Sequence, residues 1–69
     1  MITLYTTHCP KCRVIETKLI KKGIPFEIND NVDEMLKLGF KFAPVLCVNG
    51  EYLDFTKANN WINQQGGNQ

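Results

Sequence analysis

No apolar run in this chain approaches the roughly 18 residues that a membrane-spanning helix needs, so none is expected. Charge of either sign is not in excess. Eight Lys plus Arg against seven Asp plus Glu leave a formal net charge of +1. That balance gives no reason to expect nucleic acid or an anionic membrane as partner. Cysteine is scarce and odd in number, with three in the chain. A disulfide framework prefers an even count, and this one suits a reducing, cytoplasmic compartment. No basic segment followed by a leader-like apolar stretch opens the sequence, so no secretory signal is expected. There is no second Cys-x-x-Cys and no Cys-x-x-His, the spacings that a closed tetrahedral zinc site would require. No internal repeat is visible. A chain of 69 residues has room for one domain. That domain is expected over residues 1–63. Residues 64–69 hold two glycines and no apolar side chain, and read as a flexible tail.

What is present centres on Thr7-His8-Cys9-Pro10-Lys11-Cys12. Before it, Ile2-Thr3-Leu4-Tyr5-Thr6 is rich in β-branched and aromatic residues and reads as a strand. After it, Pro10 to Lys22 carries helix-forming residues and stops at Gly23, with Cys12, Ile15 and Leu19 as the inward stripe. Pro10 near the first helical position removes no internal hydrogen bond. The two cysteines therefore sit at a helix N-terminus. Unpaired N–H groups and the positive end of the helix dipole lower a thiol pKa there. Strand, Cys-x-x-Cys, helix is the setting in which this motif reads as redox-active.

Further along, Ile24, Phe26 and Ile28 alternate as a second strand. Pro25 inside it argues for a sheet edge. Asn31 is placed to cap a short helix, with Glu34 completing a capping box. Val32, Met35 and Leu36 form its expected inner face, and Gly39 its stop. Val45-Leu46-Cys47-Val48 is an apolar strand, Asn49-Gly50 a two-residue hairpin turn, and Glu51-Tyr52-Leu53 the returning strand. Asp54 or Thr56 caps a last helix with Ala58, Trp61 and Ile62 on one face. The order β-α-β-α-β-β-α predicts an α/β fold: a four-stranded mixed sheet with helices on both faces, its parallel pair joined by a right-handed crossover.

Taken together, Cys9-Pro10-Lys11-Cys12 after the first strand, Ala43-Pro44-Val45 before the third and the Asn49-Gly50 hairpin resemble the glutaredoxins and the related NrdH-redoxins, over residues 1 to about 63. The resemblance implies a thioredoxin-like fold, a dithiol–disulfide oxidoreductase activity and a redox-active Cys9–Cys12 disulfide with no bound cofactor. It implies that Cys9 and Cys12 are catalytic. Pro10 and Lys11 would border the substrate, Pro44 would follow a cis peptide bond beside the cysteines, and Ala43 would offer backbone hydrogen bonds to the substrate. The partners implied are a disulfide-bearing protein, ribonucleotide reductase by family analogy, and an external reductant, either glutathione or a thioredoxin reductase. A monomer is expected.

Three departures bear on that reductant. Lys11 stands where many members have an aromatic residue, and Thr6 where many have a basic one. Glutathione-binding members carry Gly-Gly and an acidic or hydroxyl residue after the hairpin, whereas this chain reads Leu53-Asp54-Phe55-Thr56. Without the glycines, close backbone approach to a ligand is disfavoured.

Thiol–disulfide exchange needs an accessible thiolate and a second thiol within reach. Cys9, ahead of the helix, suits the attack, and Cys12, one turn in, suits release of the mixed disulfide. His8 and Lys11 either stabilise the thiolate or point to water. Cys47, inside an apolar strand, reads as a small core hydrophobe. Phe42, beside Ala43-Pro44, borders an expected substrate groove. The alternative function is an iron–sulfur cluster or metal carrier of glutaredoxin type, although such carriers usually hold one active-site cysteine rather than two.

Overall fold

The structure, a computed structural model, describes residues 1–65. Seven elements follow one another: β1 (Ile2–Tyr5), α1 (Pro10–Lys21), β2 (Glu27–Asn29), α2 (Val32–Lys37), β3 (Val45–Val48), β4 (Glu51–Leu53) and α3 (Phe55–Gln64). The strands form one mixed open sheet in the order β2-β1-β3-β4. β1 and β2 run parallel, while β1–β3 and β3–β4 run antiparallel. The architecture is α/β, in the predicted element order.

Side chains alternate across the sheet, and each face finds its own helices. Leu4, Leu46 and Leu53 point to one face. There they join Ile15 and Leu19 of α1 and Ala58 and Ile62 of α3, all buried. Tyr5 and Val45 point to the other face and pack with Met35 of α2. Phe40 and Cys47 border this second cluster, half-buried. Cys47 is thus a packed strand residue, and Trp61 lies half-buried against the larger core.

The caps are local and legible. Asn31 Oδ1 accepts the Glu34 backbone N–H at 3.1 Å, and Asp54 Oδ1 accepts that of Lys57 at 2.8 Å. The capping box expected at α2 is half formed, because the Asn31 N–H donates to Asn29 Oδ1 instead. Gly39 takes φ +87°, which a side chain would resist, and the chain reverses so that the Phe40 N–H reaches the Met35 carbonyl at 3.0 Å. Asn49 and Gly50 both have positive φ, +51° and +88°, the pattern of a type I′ hairpin turn.

Three expectations change. β2 begins at Glu27 rather than Ile24, so Pro25 lies outside the strand; β2 is nonetheless an edge strand. The ladder reaches only as far as β1 offers partners, from Thr3 opposite Glu27 to Tyr5 opposite Asn29. In α2 only Met35 is buried. Val32 and Leu36 are 51% and 65% exposed, because a helix of six residues meets the sheet with one side chain. Finally, α3 runs through Gln64, one residue into the expected tail; residues 66–69, expected to be flexible, lie outside the described residues. Among the described residues, no helix is long and apolar enough to cross a membrane.

Candidate functional site

The β1–β3 pairing assembles the site. Tyr5, the last residue of β1, stands opposite Val45, the first of β3. Because these strands are antiparallel, the segment leaving β1 and the segment entering β3 emerge side by side. The first carries Thr7 to Cys12 and the second Phe42 to Pro44. Ala43-Pro44 is cis, as the resemblance implied, and Pro44 is fully buried. The Ala43 backbone N–H and C=O have no backbone partner among the described residues.

Cys9 is the N-cap of α1. Its extended backbone (φ −75°, ψ 167°) lets Sγ turn back and accept the Cys12 N–H at 3.3 Å. A sulfur thus does what a serine hydroxyl does at other helix starts, satisfying an otherwise orphaned donor. The two sulfurs are 2.7 Å apart and both thiols are free. Cys9 is half-buried and Cys12 is fully buried. Only Cys9 can meet a macromolecule.

Thr6 and His8 shape the approach. Thr6 is wholly buried, and its Oγ1 accepts the His8 backbone N–H at 2.9 Å. This small turn sets His8 at φ +62°, a left-handed conformation that histidine tolerates better than most residues. The His8 ring lies 3.2 Å from Asp30 Oδ2 just beyond β2, with both side chains more than half exposed. Lys11 turns toward α3, with Nζ 5.4 Å from the centre of the Phe55 ring. Thr6 and Asp30 were not singled out as site residues from sequence. A Thr-x-His turn was a usable signal for the first. Nothing local signals the second, which is 22 residues from its partner.

Burial alone would raise the Cys12 thiol. Hydrogen bonds from the Cys9 and Thr6 side chains and from the backbone at Thr7 and Cys9 outweigh it, and its pKa falls from 9.0 to about 7. The ultraviolet thiolate absorbance that is lost in Cys12→Ser is expected to grow in the unaltered protein as pH passes about 7, and a pH titration of the two proteins side by side checks this. Identical absorbance curves for the two would overturn it.

Beside the pair opens a groove of about 280 Å³. Thr7 and Ala43 line it near the cysteines, and Val32, Leu36 and Phe42 line it farther out. A second groove, of about 250 Å³, lies by Phe40, Phe42, Tyr52 and Asp54. Between the sheet and this surface, the rings of Tyr5, Phe40 and Tyr52 meet edge to face at 5.1 to 6.3 Å. Phe42, 64% exposed, borders both grooves. Among the described residues, no three His, Cys, Asp or Glu side chains converge as metal ligands. No protein-family model matches the chain, and comparison with curated proteins yields no match.

Proposed function

We propose that this protein is a dithiol–disulfide oxidoreductase of the glutaredoxin type, with the thioredoxin-like arrangement of strands and helices. One observation carries the reading: two free thiols 2.7 Å apart at a helix N-terminus, one reachable and one buried. In the first step the Cys9 thiolate attacks a substrate disulfide. A Cys9–substrate bond forms, the substrate S–S bond breaks, and the leaving thiolate takes up a proton. In the second step the Cys12 thiolate attacks the Cys9 sulfur. A Cys9–Cys12 disulfide forms and the second substrate thiol departs. The substrate gains two electrons and two protons, which the dithiol loses, and an external reductant restores the pair.

Pro10 stiffens the ring between the sulfurs, while Ala43 offers unpaired backbone groups to an extended substrate. Ribonucleotide reductase remains the partner suggested by family analogy, with a cytoplasmic setting and a monomeric chain as part of the same proposal. The test is thiol counting on the purified protein, before and after incubation with a peptide disulfide under anaerobic conditions. A colourless protein that loses two thiols as the peptide gains two supports the reading. A brown protein with bound iron and no exchange would return it to the cluster carrier.

A further expectation concerns the electron donor. In glutathione-binding members, the start of the helix after the hairpin receives the glutamyl end of the tripeptide. In this chain Asp54 already fills that helix start, accepting the Lys57 N–H at 2.8 Å. Thr6 is buried and uncharged, and Lys11 is drawn over Phe55. Turnover of one disulfide substrate is expected to be at least about tenfold slower with glutathione and its reductase than with thioredoxin reductase and NADPH. That is the loss of roughly one hydrogen bond to a charged group, about 1.5–3 kcal/mol. Efficient turnover with glutathione and none with the protein reductase would defeat the idea.

A further inference from the structure

The +1 net charge conceals a strong asymmetry. From Pro10 to Lys22 the chain holds Lys11, Arg13, Lys18, Lys21 and Lys22, five of the eight basic residues, and only Glu16 of the seven acidic ones. Arg13, Val14, Thr17, Lys18 and Lys21 recur at i, i+1, i+4, i+5 and i+8, opposite the buried stripe of Cys12, Ile15 and Leu19. They line a shallow furrow of about 360 Å³ on the outer side of α1. Val14 is 42% exposed within it. Among the described residues, the only side-chain ion pair joins His8 to Asp30, and no described carboxylate pairs with the α1 cations. Lys18 donates to the neutral Asn63.

We propose that the outer face of α1 is the docking surface for an acidic protein partner. Unpaired cations in a row, with an apolar side chain among them, match a face of carboxylates with one apolar contact at its centre. The furrow begins one residue after Cys12, so a partner seated there has its edge at Cys9. A long polyanion fits less well. Asp30, Asp33 and Glu34 are exposed on the far side of the site, at the start of α2, and would repel nucleic acid extending past the furrow. The surface itself stands on charge and geometry. Only its use, to bring a disulfide or a reductase to Cys9, rests on the redox reading.

The test titrates the full isotope-labelled chain with a cysteine-free glutamate-rich peptide containing leucine, and follows backbone amide shifts. A lysine-rich peptide, a single-stranded oligonucleotide and anionic vesicles serve as competing probes. Shifts are expected at Arg13, Val14, Thr17, Lys18 and Lys21. Affinity should fall about tenfold or more between ~0.01 M and ~0.15 M salt, where the screening length shrinks from ~30 Å to ~8 Å. Arg13→Glu with Lys21→Glu should abolish the shifts, whereas Lys37→Glu on α2 should not. Arg13→Gln with Lys21→Gln, which spares the helix end a repulsive charge, should weaken binding in the same direction. Shifts elsewhere, an equal response to the lysine-rich peptide, or tighter binding of the oligonucleotide or vesicles would overturn the proposal. So would unchanged binding in the neutral double variant. A disulfide-bearing version of the acidic peptide separates the two readings: binding without reduction leaves the surface standing and removes the redox chemistry.

Discussion

Under the proposed dithiol mechanism, Cys9→Ser is expected to abolish disulfide reduction, whereas Cys12→Ser is expected to leave the first attack intact and stall the second. The two thiols are chemically alike, and their surroundings separate their roles. Cys9 is half-buried at the mouth of the site, and its sulfur accepts a helix N–H. Cys12 is fully buried and can reach only a sulfur already delivered to Cys9. Serine at position 9 keeps a hydrogen-bonding cap but presents an oxygen too weakly acidic to act as the nucleophile. Serine at position 12 removes the group that expels the substrate, so a Cys9–substrate mixed disulfide accumulates. Intact-mass measurement after challenge with a peptide disulfide distinguishes the two. Loss of adduct in Cys12→Ser together with retained attack in Cys9→Ser would reverse the assignment.

The second large effect is structural. Leu46→Ala is expected to remove a large share of the folding stability. Leu46 is completely buried in β3, opposite Leu4 of β1 and Leu53 of β4, under both α1 and α3. Truncating a buried leucine costs about 2–5 kcal/mol. A domain of this size has only about 3–10 kcal/mol in total, at roughly 0.05–0.15 kcal/mol per residue. Equal substitution at Leu36, which is 65% exposed, should change stability by less than about 0.5 kcal/mol. Urea unfolding followed by circular dichroism compares them. Equal losses at both positions would mean that α2 packs differently from the arrangement described.

These paired leucines also show what could and could not be read from the sequence. Leu46 sits in a run of apolar residues, half of them β-branched, ahead of Asn49-Gly50, and both strand and turn follow from those residue types. Leu36 shares a helical stripe with Val32 and Met35, and periodicity reports that stripe correctly. It does not say how much of the stripe the sheet can cover, and a six-residue helix leaves most of it uncovered. The start of β2 was misplaced for a related reason. Ile24 and Phe26 are apolar and pack on the core from outside the ladder, so their alternation marks burial rather than pairing. Near the candidate site, the placing of Cys9 and Cys12 at a strand-to-helix junction was legible because such junctions are local features, whereas the cis bond at Ala43-Pro44 was implied only by the family resemblance. The positions of Lys11 over Phe55 and His8 beside Asp30 were not legible, since each depends on where a distant element comes to rest.

The strand order has one more consequence, for how the molecule breathes. β1 and β3, whose ends carry the cysteine loop and the Ala43–Pro44 segment, are the two inner strands, and β2 and β4 are the edges. Amide protons along an interior ladder exchange with solvent only when a large cooperative unit opens, while those at an edge exchange through smaller fluctuations. Leu4 and Leu46 should therefore be among the slowest positions to take up deuterium, and Glu51 and Tyr52 much faster. The cysteine loop and the Ala43–Pro44 segment hang from the part of the sheet that opens last. Fraying at either edge can admit solvent or a partner without disturbing the 2.7 Å spacing of the two sulfurs.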